Sequence, residues 1–72
     1  MIKNVVFESD GTLSHLDVDD GALVEEGERI AEVECMKTYW PLVAPIAGRV
    51  RFRLKLGEFV GHGDVVATVE SE

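Results

Sequence analysis

Polar and apolar residues alternate strictly through Arg49-Val50-Arg51-Phe52-Arg53-Leu54, and β-branched residues are concentrated at Ile30, Val33 and Val65 to Val69. A side-chain period of two marks a half-buried β-strand, and β-branched side chains fit a pleated surface. Nothing in the chain reads as a helix. Short apolar runs are separated by glycines at which a strand has to turn, so the pattern predicts many short strands and tight connections.

The pattern occurs twice. With a shift of 36 residues, Gly21, Val24, Gly27, Ala31, Val33 and Glu34 fall on Gly57, Val60, Gly63, Ala67, Val69 and Glu70, six identities in fourteen positions. Upstream the shift becomes 37, placing Val6 on Val43, Gly11 on Gly48 and Leu13 on Val50. One extra residue therefore lies in the first copy near Ser14 and His15, where a bulge or longer turn absorbs it. The matched Gly21, Gly27, Gly57 and Gly63 are expected where φ is positive or the backbone packs closely. Each copy is too small to bury its own apolar face, so the two are expected to pack against each other. The predicted fold is all-β, a flattened barrel or sandwich of about eight short strands with a pseudo-twofold internal repeat. It forms one domain over residues 1–72, with repeat one at 1–36 and repeat two at 38–72.

Lys37 stands at the seam between the copies. Glu28 to Glu34 and Thr38 to Ala44 read as two extended runs separated by about two residues, the length of a tight hairpin loop, so Lys37 is expected to project from the tip. Beside it Met36 puts a flexible apolar side chain where a solvated turn ordinarily carries Gly, Asn or Asp. An exposed apolar residue next to an exposed lysine points to recognition by another protein.

Composition narrows the classes. Seventy-two residues leave no room for a second domain. Fourteen acidic against seven basic residues give a formal charge of −7, which argues against nucleic acid and anionic lipid as partners. No apolar run approaches the length a membrane-spanning helix requires. The single Cys35 cannot form an internal disulfide, so a reducing, cytoplasmic setting is expected. Arg49, Arg51, Arg53 and Lys55 alternate along one predicted strand face and are read as solvated.

Glu34-Cys35-Met36-Lys37-Thr38, then Ala44-Pro45-Ile46-Ala47-Gly48-Arg49-Val50, then Gly57-Glu58-Phe59-Val60-Gly61-His62-Gly63, resembles the biotinyl (biotin/lipoyl attachment) domain family over nearly the whole chain. That family typically shows Glu-Ala-Met-Lys-Met at the first element, so Cys35 replaces an Ala and Thr38 the second Met. Related lipoyl domains usually place Asp before the lysine and Ala after it, whereas Met36 here keeps the biotin mark. The resemblance implies a non-catalytic carrier with biotin attached to Lys37, and with Glu34, Cys35, Met36 and Thr38 forming the hairpin that a ligase reads. Its implied partners are a biotin protein ligase, a biotin carboxylase and a carboxyltransferase. A lipoyl carrier and an unmodified structural β-sandwich module are the alternatives.

The remaining polar residues call for no chemistry of their own. Cys35 reads as a small side chain packed at the turn. His15 and His62 show no metal-ligand spacing and read as turn residues, while Asp17, Asp19 and Asp20 read as a solvated acidic turn because the distal spacing of a calcium loop is missing. No metal site is expected. Tyr39 and Trp40 should alternate, one buried and the other flanking the lysine. No nucleophile–base pair or phosphate loop is present, which argues against an autonomous enzyme.

Overall fold

A computed structural model describes all residues, 1–72, as eight strands and no helix. In chain order they are β1 (Ile2–Val6), β2 (Gly11–Leu16), β3 (Leu23–Val24), β4 (Arg29–Cys35), β5 (Thr38–Val43), β6 (Gly48–Phe52), β7 (Phe59–Val60) and β8 (Val65–Glu70). They form two antiparallel four-stranded sheets, β1-β8-β6-β3 and β5-β4-β2-β7. Alternation decides which side chains turn inward. Leu13, Ile30, Val33, Val50, Val60, Val66 and Val69 are fully buried between the sheets, with Arg49 and Arg51 exposed on either side of Val50.

The repeat is written into the strand register. Leu13 lies opposite Val33 and Leu16 opposite Ala31 in the first copy, as Val50 lies opposite Val69 and Phe52 opposite Ala67 in the second. Between Leu13 and His15 the register slips, leaving Ser14 as the extra residue, with its hydroxyl donating to Glu32 O at 3.1 Å. This is the bulge that the change of shift implies. The matched turns agree as well: Gly27 and Gly63 take φ of 84° and 81°, a region closed to most side chains.

The two copies pack against each other by interleaving: β3 of the first pairs with β6 of the second, and β7 of the second with β2 of the first. Gly21 N–H donates to Val50 O at 2.8 Å and Gly57 N–H to Leu13 O at 2.7 Å, so each copy closes the other's sheet by the same exchange. Strands of two residues have almost no partner of their own, and borrowing the other copy's strand satisfies their backbone groups. Gly11 and Gly48 mark the close approaches this requires. A Cβ at Gly11 would collide with Glu34 O and a Cβ at Gly48 with Glu70 O.

The molecule measures 35 × 19 × 18 Å. At one end β4 turns into β5 through Met36 and Lys37. Related to it by the pseudo-twofold is the place where the chain ends meet: Ser71 N–H donates to Met1 O at 2.9 Å, and the Met1 ammonium donates to Ser71 Oγ at 3.1 Å.

Candidate functional site

Cys35 and Thr38 are the last pair in the β4–β5 ladder, so the hairpin loop consists of Met36 and Lys37 alone. Their φ values are 53° and 63°, the only non-glycine residues of the chain in the left-handed region. Two consecutive positive φ angles define a type I′ turn, whose twist matches that of the flanking strands and which ordinarily carries Asn and Gly. Holding two side-chain-bearing residues there costs on the order of 1 kcal/mol each. The ladder of β4 and β5 sustains that strain, and the turn aims both side chains away from the sandwich. Met36 is 92% exposed and Lys37 is exposed beside it.

The flanking residues divide between the two faces of the hairpin. Cys35 is half-buried, packs against the core and holds its thiol 3.9 Å from Ser9 Oγ, in agreement with a small side chain fitted beneath the turn. Glu34 lies on the outer face in a cross-strand row running Tyr39, Glu34, Thr12, Phe59. Thr38 is exposed at the start of β5. A recess of about 290 Å³ opens beside the lysine, with Asp10, Gly11, Thr12, Glu34 and Phe59 among the residues that line it together with Lys37. Asp10 fixes its rim by accepting the His62 N–H at 2.8 Å. On the other face Phe7, Cys35, Met36 and Trp40 line a more apolar hollow of about 370 Å³.

Several expectations change. Neither Tyr39 nor Trp40 is buried, at 56% and 49% exposure. Trp40 does turn to the inner side, opposite Val33, but β5 is an edge strand and the core thins toward the hairpin, so no second layer covers the indole. His15 belongs to β2 rather than to a turn, and its Nε2 lies 3.4 Å from Asp17 Oδ1. Asp17 is not a solvated carboxylate: it accepts Arg29 Nε and Nη2, each at 3.1 Å, while Arg29 Nη1 lies 3.3 Å from Glu32. The hydrogen bonds to Asp17, then the charges of Asp17 and Glu32, raise the Arg29 pKa above its ordinary value. Asp20 accepts the Phe52 N–H at 2.8 Å, tying the β2–β3 loop to the opposite copy. Periodicity carries no signal for such loop contacts. The recess at Asp10 and Phe59 likewise joins residues from distant parts of the chain, so spacing alone could not find it.

Chemically the arrangement offers a primary amine on a short rigid stalk. Of the three lysines, Lys3 lies in β1 and Lys55 follows β6, and neither occupies a turn of this kind. The structure is thus an interleaved β-sandwich that raises one lysine on a strained two-residue hairpin.

Comparison with known proteins identifies the family. Residues 1–69 match the biotin/lipoyl family described as "Biotin-requiring enzyme", and the chain belongs to that family. It is 42% identical to an acetyl-CoA carboxylase of Dictyostelium discoideum over 86% of its length, although it spans only 3% of that protein. It is 39% identical to a biotin/lipoyl attachment protein of Bacillus subtilis (strain 168) over 78% of each chain. Among solved structures, the urea carboxylase of Kluyveromyces lactis superposes with a TM-score of 0.88 at 28% identity, covering 97% of this chain and 6% of that one. A single-chain, multi-domain long-chain acyl-CoA carboxylase superposes with a TM-score of 0.81 at 25% identity, covering 99% of this chain and 7% of that one.

Proposed function

We propose that the chain is a biotin carboxyl carrier, with biotin joined by an amide to Lys37 and the side chain serving as a swinging arm between a biotin carboxylase and a carboxyltransferase. The observation that carries this reading is the type I′ hairpin whose two loop residues are Met36 and Lys37. Membership of the biotin/lipoyl family supports it, as do carboxylase relatives in which a similar sequence forms a small part. The exposure of Lys37 and the open recess beside it leave the side chain accessible to an acylating enzyme.

For attachment, the deprotonated Lys37 Nζ would be the nucleophile that takes the biotinyl group from an activated acyl donor supplied by a biotin protein ligase, forming the amide as the donor's leaving group departs. Met36, projecting beside the amine, offers the ligase an apolar contact, and Glu34, Cys35 and Thr38 set the hairpin that presents it. Once attached, biotin supplies a ureido ring that takes up and releases a carboxyl group. The chain itself performs no catalysis in this reading: its strands keep the stalk rigid, and the lysine side chain raises the local concentration of the carried group at each enzyme site. It works in the cytoplasm, where the Cys35 thiol stays reduced.

Intact-mass measurement after co-expression with a biotin protein ligase tests the proposal. The expected result is one biotinyl increment in the natural chain and none in Lys37→Arg. A lipoyl increment, or a biotinyl increment that survives the substitution, overturns it.

A further inference from the structure

Four of the seven cations, Arg49, Arg51, Arg53 and Lys55, are exposed at alternate positions of β6 and the loop after it. None takes part in an ion pair; those of the molecule gather around Asp17 and Arg29 on the other sheet. Nearby acids do not absorb the charge. Glu70 lies opposite Arg49 in the ladder, but Arg49 Nη1 donates to Gly21 O at 2.6 Å. Asp20 accepts the Phe52 N–H, and Glu58 accepts the Lys55 N–H at 2.7 Å.

The repeat supplies an internal control. The backbone positions of Arg49, Arg51, Arg53 and Lys55 are those of Thr12, His15, Asp17 and Asp19 in the first copy. Arg53 N–H donates to Val66 O at 2.8 Å as Asp17 N–H donates to Ile30 O at 2.9 Å, and Lys55 O accepts Glu58 N–H as Asp19 O accepts Ala22 N–H, each at 3.0 Å. The same backbone therefore forms with Thr12, His15, Asp17 and Asp19 at these places, although Asp17 is there paired with Arg29, whose second-copy counterpart is Val65. Like charges along one strand face repel each other. The row runs from the end where Met1 and Ser71 meet toward the lysine end, where Gly57 is bonded to Leu13 and Phe59 lines the recess beside Lys37.

We propose that this basic row is a docking surface for an acidic face of a partner protein, which holds the carrier while Lys37 reaches into that partner's site. The proposal rests on the carrier reading, since a swinging arm has to be held near the site it serves. Charge complementarity decides the occupant: the exposed, unpaired cations match a local acidic patch on a protein, while a net charge of −7 opposes extended polyphosphate backbones and anionic lipid surfaces. The occurrence of similar sequences within far longer carboxylases fits a protein partner.

An octaglutamate peptide titrated into the unmodified, isotopically labelled chain tests this by amide NMR, with octaglutamine as the neutral control. Because Lys37 carries no group in this experiment, docking and biotin attachment succeed or fail separately. Saturable shifts are expected at residues 48–55, weakening at least about tenfold between roughly 20 and 150 mM salt. They should vanish in the triple variant Arg51→His, Arg53→Asp, Lys55→Asp, which places first-copy residues on the matched backbone and is expected to keep a dispersed spectrum. Shifts absent, centred elsewhere, reproduced by octaglutamine or retained in the triple variant would overturn the proposal. Tighter binding to duplex DNA or to phosphatidylserine vesicles than to octaglutamate would overturn it as well.

Discussion

The lysine end and the end where the chain's termini meet occupy equivalent places in the two copies, yet the scaffold treats them differently. Ile2, Glu70, Arg49 and Leu23 form the outer row at the terminal end, as Tyr39, Glu34, Thr12 and Phe59 do at the lysine end. At the first the strands are held by bonds between Met1 and Ser71; at the second they are joined by a turn with two side-chain-bearing residues in the left-handed region. Exposed apolar side chains occur at both ends, Ile2 and Leu23 at one and Met36 and Phe59 at the other, but non-glycine residues in the left-handed region occur only at the Lys37 turn, where the strained backbone favours presentation of a side chain over ease of turning.

The largest effect should come from breaking the equivalence of the copies themselves. Ser14 is the one residue of β2 without a counterpart in β6, and its removal restores plain alternation from Leu13 to His15. That deletion is expected to cost about 1 kcal/mol or less, including its hydrogen bond to Glu32 O. Deleting Arg51 instead slips a central strand by one residue and turns Phe52 away from the core side. The expected loss is on the order of 5 kcal/mol, comparable to the whole stability of a small domain. Chemical denaturation of the two deletions decides the matter: similar losses would mean that the bulge is not where the copies differ.

The difference between these deletions also shows what the sequence made legible. The change of shift from 37 to 36 located the extra residue near Ser14, because an inserted residue disturbs a repeat in a way that counting detects. Lys37 emerged by the same route, as the residue left over between copies. Interleaving did not emerge, since periodicity records which face a side chain takes and not which copy supplies the neighbouring strand. The expected burial of one of Tyr39 and Trp40 fails for a related reason: alternation puts the two on opposite faces, but whether a second layer covers either face depends on where the core ends. The ion pairs of Asp17 and the recess at Asp10 and Phe59 arise from contacts across the chain that no local pattern encodes.

An intermediate effect is expected at the turn. Asn adopts the left-handed region more readily than Met, so Met36→Asn should relieve about 1 kcal/mol of strain and raise the melting temperature by roughly 4–8 °C. The same change removes the exposed thioether beside Lys37, and the rate of biotinylation by ligase is expected to fall at least about tenfold, equivalent to about 1.4 kcal/mol of transition-state contact. Stability rising while modification falls is the signature of a residue kept for recognition. A rise in both would leave Met36 as an unfavourable turn residue with no compensating role.

The smallest effect is expected one position further on. Thr38 is exposed at the start of β5 and pairs with Cys35 through the backbone, so a longer unbranched side chain meets no wall there. Thr38→Met, which restores the residue usual in the biotinyl family, should change the biotinylation rate by less than about twofold, within 0.4 kcal/mol. Its melting temperature should move little, since exposed substitutions away from caps and packed contacts usually stay within about 0.5 kcal/mol. A large loss of modification would place Thr38, rather than Met36, at the centre of ligase contact. The functional difference between the two ends of the molecule would then begin in β5 rather than in the turn.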